Sequence, residues 1–412
     1  MTVFQAGNIL VPEEKYLNQW AVIACDQYTS QPEYWERVKQ NVGDAPSTLQ
    51  MILPEAQLGQ GNQEKIERIH NTMSEYCTLP ILRCFPHSFV YVERTMSNGA
   101  IRRGVVGVID LEHYEYTDKS SASIRATEKT VLERIPPRKA VRQDSQLDMS
   151  HVILLADDPK DSILGYLESS RNKLPHLYDF DLMEEGGHIS GWLVEKEFAA
   201  MLEDRITRYE QERKQQCEQL GCSALCYAVG DGNHSLASAK ACYEKLRMEK
   251  SAEELQDSPL RYALVELENI RDEVQDFEPI HRIISVEQLE EFLNLMNQQC
   301  GASDGYPVKW YAGNQTGCIY LDRDKGKSAV SIVQNFLDQN LQDTAKQLDY
   351  IHGEDVVQNL AKKSHKLGLV LPAIPNEHFF EDLVVDGVLP RKTFSVGHAQ
   401  EKRFYLETRK LF

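Results

Sequence analysis

The residues best suited to chemistry stand together in Gly230-Asp231-Gly232-Asn233-His234-Ser235. Glycines at 230 and 232 permit positive φ and a tight turn. The run before them, Ala224 to Val229, is apolar and has the length of a buried strand. After them Leu236, Ala239, Tyr243 and Leu246 fall on one helical face. The spacing predicts strand, turn, helix. A helix start presents free N–H groups and the positive end of its dipole, which together favour an anion. His234 and Ser235 each add a side-chain donor for a phosphate oxygen. The ordinary alternative is a strand-to-helix connection with Asp231 or Asn233 as its cap.

A second cluster runs from Ser120 to Arg142. It holds six basic and two acidic residues, including Arg125, Glu128, Lys129 and Arg138. Arg125, Glu128 and Lys129 have the spacing to share a helix face, and Pro136-Pro137 would end that helix. A carboxylate held among cations stays ionised, so Glu128 is a candidate base or metal ligand. A solvated helix face with internal ion pairs explains the same pattern. Asp26 ends a short apolar run, Trp20 to Cys25, and either serves a site or caps the loop before a helix opened by Pro32. Asp157-Asp158-Pro159 invites magnesium but fits a turn opener better. Glu184 to Gly191 reads as a mobile loop or a hairpin turn. Cys217, Cys222 and Cys226 lack the paired spacing of a zinc site.

These residues need a scaffold, and the bulk numbers bound it. The chain has 412 residues, enough for one elaborated body or two to three domains. Its net charge of −18, from 63 acidic and 45 basic residues, argues against nucleic acid and anionic membrane as partners. A small molecule is the expected partner; oligomeric state is not legible. No run approaches the ~20 apolar residues of a membrane span, and no secretory signal is evident. With nine scattered cysteines, this points to a reducing, cytoplasmic setting.

The remaining elements follow from pattern. An amphipathic helix is expected over Gly61 to Tyr76. Asn98-Gly99 joins Phe89–Thr95 to Arg103–Leu111 in a hairpin. Strands are expected at Val152–Ala156, Arg261–Ile270, Cys318–Leu321 and Gly368–Ile374. A long charged helix spans Phe198 to Gln219, and further helices are expected after Ser285 as cap, over Ala329–Leu348 and over Pro375–Leu383. The fold class is α/β of the mixed, α+β kind. The expected division is residues 1–215, with the basic element, and 216–412, with the phosphate turn, unless the two interweave.

Several stretches resemble the bacterial and archaeal family called domain of unknown function 1015. They are Ala24-Cys-Asp-Gln-Tyr-Thr-Ser-Gln-Pro-Glu-Tyr-Trp35, Ile124-Arg-Ala-Thr-Glu128, Gly230-Asp-Gly-Asn-His-Ser235, Glu278-Pro-Ile-His-Arg282 and Leu389-Pro-Arg-Lys-Thr393. The resemblance spans nearly the whole chain in order. It implies a core like that of the chromosome-partition and sulfiredoxin-like proteins, elaborated with additional strands and helices. That fold includes nucleotide-dependent kinases of free L-serine, in which a turn and the following helix hold the phosphates and a glutamate deprotonates the serine hydroxyl. By this resemblance Gly230, Asp231, Gly232, Asn233, His234 and Ser235 form the phosphate turn, and Glu128 and His234 are the catalytic candidates. Ser235 stands where many relatives have arginine, so Arg138, Arg282 or Arg391 would supply that cation. Arg125, Arg138, Arg282 and Asp26 are the expected substrate contacts.

The resulting expectation is a small-molecule kinase. It would move a phosphoryl group from ATP, ADP or pyrophosphate, with Mg2+, to L-serine or a similar hydroxy acid. The alternative is a non-catalytic sensor or scaffold for a phosphorylated metabolite, for which Glu128 would be dispensable. DNA binding is disfavoured by charge and by the lack of a basic helix-turn-helix.

Overall fold

A computed structural model describes the chain except residues 1, 30, 59–60, 118–119, 131–134, 273–276, 327, 344–346, 375–378 and 391. The chain forms two compact units, residues 1–275 with 397–412, and residues 276–396. This division does not fall at 215/216. The strand after the long helix is inserted between strands from the first half of the chain, so both halves build one sheet.

In chain order the first unit's strands are β1 (Phe4–Gln5), β2 (Gly7–Pro12), β3 (Val22–Ile23), β4 (Leu82–Thr95), β5 (Ile101–Asp110) and β6 (Tyr114–Glu115). They continue with β7 (Ile124–Ala126), β8 (Leu147–Met149), β9 (Ile153–Ala156), β10 (His176–Asp181), β11 (His188–Val194), β12 (Tyr227–Asp231) and β13 (Tyr262–Asn269). The second unit holds β14 (Phe277–Pro279), β15 (His281–Ser285), β16 (Gly301–Ala312), β17 (Gln315–Leu321), β18 (Leu348–Ile351), β19 (Lys366–Val370) and β20 (Phe394–Val396). The first unit then closes with β21 (Phe404–Tyr405) and β22 (Thr408–Lys410). Its helices are α1 (Leu17–Trp20), α2 (Pro32–Val42), α3 (Asn62–Thr78), α4 (Ile135–Gln143), α5 (Leu164–Ser170), α6 (Lys196–Gln219) and α7 (Asn233–Glu249), followed by the short helix Ala252–Gln256.

The main sheet is mixed, in the order β6-β7-β12-β9-β13-β5-β4-β2-β22-β8. The Asn98-Gly99 turn joins β4 to β5 antiparallel, with Thr95 opposite Ile101 and Gly99 at φ 83°. Alternate residues then leave the sheet on opposite faces. Phe89, Tyr91, Val105 and Val265 enter one core, with Leu202 and Ile206 of α6 and Leu236 of α7. Val90, Val92, Val106 and Leu264 enter the other, with Trp20, Trp35 and Ile69 of α1 to α3. Helices thus cover both faces of the sheet, as a mixed α/β architecture requires. The Glu210 carboxylate of α6 accepts from Val3 N at 2.9 Å and from Tyr227 Oη at 3.0 Å, tying the chain's first strand to β12.

Three local expectations are corrected. Ile124–Ala126 is a strand, paired parallel to β12 with Ile124 opposite Tyr227, so Arg125, Glu128 and Lys129 share no helix face. Sheet pairing of three buried residues outweighs helical spacing there. Pro136-Pro137 do not end a helix: α4, described from Ile135, continues beyond them to Gln143. Ser285 is the last residue of β15 and accepts from Lys366 Nζ at 2.8 Å; the helix begins at Leu289.

The second unit is a five-stranded sheet, β17-β16-β19-β15-β18, and a two-stranded one, β14-β20. Ile284, Val308, Phe336 and Leu369 are among its core residues. No helix among the described residues is long and apolar enough to cross a membrane.

Candidate functional site

The glycine turn is built as a launch point for α7. Tyr227, Ala228 and Val229 are buried in β12. Gly232 follows at φ 79°, in the left-handed region. A Cβ there would lie 2.9 Å from Val152 Cγ2 and 3.0 Å from its Cα, so backbone conformation and neighbouring strand both demand glycine. The N-cap position of α7 is Gly232, which has no side chain to cap the helix. Asp231 Oδ1 accepts from Gly232 N at 2.8 Å, and Oδ2 faces Lys402 Nζ at 3.3 Å. The Thr127 hydroxyl donates to Val229 O at 2.6 Å and accepts from Asn233 Nδ2 at 3.4 Å. Asn233 Oδ1 is buried without a hydrogen-bond partner.

Beside this helix start lies a cavity with about 880 Å3 of unfilled space, part of it open to solvent. Ser235, Ser238, Cys25, Arg138 and Tyr405 line its polar side. Met51, Leu53, Met73, Val141 and Leu236 line the apolar side. Its concave, mostly apolar lining with a few polar groups is of the kind that takes a small ligand.

A charged group converges at the polar end. Arg138 Nη2 binds Glu55 Oε1 at 2.6 Å and stands 3.9 Å from Asp26 Oδ2. His151 Nε2 is 3.8 Å from Asp26 Oδ2 and 3.5 Å from Ser235 Oγ. His151 Nδ1 meets the Tyr405 hydroxyl at 2.7 Å, and that hydroxyl donates to Cys25 Sγ at 3.2 Å. Burial disfavours the Asp26 charge, but His151 and Arg138 opposite it hold the carboxyl well below the usual carboxylate range. Arg138 is the permanent partner. Burial lowers the pKa of His151 despite Asp26 and Asp231 beside it, leaving the ring neutral near pH 7. Burial, with Asp26 next to it, pushes the Cys25 thiol up to about 11, so it is protonated.

The structure brings some expected residues together and separates others. Asp231, Asn233, His234 and Ser235 surround the α7 start, and Glu128 follows β7 next to Thr127. Arg138 lines the cavity beside Ser235, and Asp26 stands 3.9 Å from its guanidinium. Arg125 points elsewhere, with Nε on Ala122 O at 2.9 Å and Nη2 on Ser223 O at 3.0 Å. Arg282 belongs to the second unit and is fully buried there. It donates to Ile280 O at 2.6 Å and Gln334 Oε1 at 3.2 Å, over the Tyr350 ring. Arg391 lies outside the described residues.

Asp157 and Asp158 are structural. Asp158 Oδ2 accepts from Ser162 N at 2.7 Å and Ile163 N at 3.1 Å, while Asp157 pairs with Arg213 and Arg271. Glu184 sits in the β10–β11 turn and binds Arg37 at 2.8 Å.

Sequence reasoning missed His151, Glu55, Tyr405 and Lys402. His151 follows Ser150 at the head of a strand, in a setting that looks like any buried histidine. Lys402 and Tyr405 lie near the C-terminus, far along the chain from the turn they approach.

Comparison with known proteins follows from this geometry. The family described as protein of unknown function (DUF1015) matches residues 7–373. No curated protein matches the sequence. Among solved structures, C-terminally truncated SbnI from Staphylococcus aureus is 8% identical, over 73% of this chain and 82% of that one, with TM-score 0.36. A free serine kinase mutant in complex with ADP is 11% identical, over 74% and 91%, with TM-score 0.38. A conserved hypothetical protein from Pyrococcus furiosus is 10% identical, over 74% and 97%, with TM-score 0.36. Likenesses this distant carry no argument about chemistry.

Proposed function

We propose that this chain, which belongs to the DUF1015 family of proteins of unknown function, is a small-molecule phosphotransferase. The donor is ATP, ADP or pyrophosphate, and the acceptor is the hydroxyl of L-serine or a similar hydroxy acid. One observation carries the reading: the first turn of α7 borders a cavity lined by Arg138, and the ionised Asp26 carboxylate stands behind that arginine. The first-turn N–H groups and the helix dipole would hold donor phosphate there. His234 and Ser235 would add donors from the first turn. The Arg138 guanidinium would meet the acceptor's carboxylate or screen phosphate charge, with Asp26 and Glu55 holding it in place. Glu128, beside the Thr127–Asn233 contact, would take the acceptor's hydroxyl proton. Arg125 takes no part in this reading, its guanidinium being bound to the carbonyls of Ala122 and Ser223.

Among the described residues no three His, Cys, Asp or Glu side chains are grouped to hold a metal. Asp231 is engaged by Gly232 and Lys402, and Asp26 lies against Arg138 and His151. No step assigned to these residues runs through magnesium.

The experiment is a coupled assay of the folded full chain with L-serine, magnesium and each donor in turn. Phosphoserine under one donor is expected. None under any donor, with serine and with a panel of small hydroxy acids, would overturn the reading.

A further inference from the structure

Ser235 is the third residue of α7, and it lines the cavity. Its Oγ lies 3.5 Å from His151 Nε2. The protonation of that ring follows from its other side. The Tyr405 hydroxyl has one proton, which it donates to Cys25 Sγ at 3.2 Å. We assign the ring proton of His151 to Nδ1, which then donates to the Tyr405 oxygen at 2.7 Å. Nε2 is then a bare lone pair facing the Ser235 hydroxyl. Asp26 Oδ2 stands 3.8 Å from the same nitrogen. When Nε2 takes a proton, the imidazolium gains a carboxylate partner. Asp231 also favours that cation, while Arg138 and Arg403 oppose it. His151 is 1% exposed, so the group it presents to the cavity is Ser235.

We propose that Ser235 is a nucleophile, with His151 as its base and Asp26 as the carboxylate that stabilises the charged base. Nucleophile, base and third group stand within or just beyond hydrogen-bond reach, as activation of a hydroxyl requires. The first turn of a helix favours the negative charge that grows on Oγ.

The proposal rests on the phosphotransferase reading only for the identity of the group carried. Under that reading the Ser235 Oγ–phosphorus bond forms as the bond from phosphorus to the donor's leaving oxygen breaks. The Oγ proton passes to His151 Nε2, and the bonding pair leaves with the donor. The acceptor oxygen then attacks the same phosphorus. Its proton goes to Glu128, the Ser235–phosphorus bond breaks, and Oγ recovers the proton from His151.

The test uses the full chain and an alkyl fluorophosphonate, which needs no donor nucleotide. Attack by Ser235 forms an oxygen–phosphorus bond, expels fluoride and passes the proton to His151. Mass spectrometry of the intact protein and its peptides should show one adduct, on Ser235, absent from Ser235→Ala. His151→Gln should slow labelling about 100-fold. Tyr405→Phe removes the acceptor that fixes the tautomer and should slow it less, giving a second variant if the first unfolds. Folded wild type that stays unlabelled overturns the proposal, as does labelling of His151→Gln at the wild-type rate. Labelling of Ser235 without phosphoryl transfer from any donor would sink the kinase reading alone. Full kinase turnover by Ser235→Ala would sink the covalent route alone.

Discussion

Lys402 Nζ stands 3.3 Å from Asp231 Oδ2, so the C-terminal segment reaches into the turn that starts α7. The lysine is 7% exposed, and Asp231 Oδ2 is buried with no other hydrogen-bond partner. Lys402→Met leaves a buried carboxylate oxygen unpaired and should cost about 2–3 kcal/mol in urea denaturation. The double variant with Asp231→Asn should recover part of that loss. Additive losses would show that the pair is not coupled.

Gly232→Ala tests the turn itself. The left-handed φ costs a non-glycine residue, and the new methyl meets the Val152 backbone at 3.0 Å. A loss of about 2 kcal/mol is expected, together with weaker protection of the protein by added donor in thermal melts. Gly61→Ala is the control. That glycine also has positive φ, but nothing lies within 4 Å of its Cβ position, so only the backbone cost should appear.

Arg125 and Arg138, both expected to touch substrate, bind different partners, and their variants should differ too. Arg125→Ala strips the part-buried Ala122 and Ser223 carbonyls of a charged donor and should cost about 1–2 kcal/mol of stability. The KM of any surviving activity should stay unchanged. Arg138→Ala should instead raise KM for the acceptor, with the Asp26 carboxylate losing its permanent cation. The opposite assignment, Arg125 moving KM and Arg138 moving stability alone, would refute this placement.

Burial lowers the His151 pKa below its ordinary 6.5. The unfolded chain therefore binds a proton that the folded chain refuses, and stability falls as pH drops through that value toward the folded one. Asp26 acts with the same sign at lower pH. Its folded pKa lies below the ordinary 3.8, so its contribution is present above that value and is lost as pH falls through the folded one. Relative to wild type, His151→Gln should lose less stability between about pH 7 and pH 5. Parallel curves from urea denaturation at each pH would refute the assignment.

Glu128→Gln separates a transferase from a non-catalytic binder. A drop in turnover of about 100-fold with donor binding retained supports proton transfer by Glu128. Unchanged behaviour in a protein that still binds a phosphorylated metabolite favours the binder.

Much of the local structure was legible because it obeys short-range rules. The apolar run to Val229, the glycines and the helical face Leu236–Ala239–Tyr243 specify strand, turn and helix within one stretch. Asn98-Gly99 specifies its hairpin in the same way. The amino-acid pattern also marked Asp26 and the Arg138 region as chemically capable. It could not tell that Ile124–Ala126 would pair with β12, because strand pairing is a contact across about a hundred residues. For the same reason it could not place Arg125 on carbonyls or Arg282 in a separate core. His151 became visible only when folding set Asp26, Ser235 and Tyr405 around it, residues from three distant parts of the chain. Local sequence determines which backbone shapes and reactive groups are present; which of those groups share one low-dielectric pocket is decided by long-range packing alone.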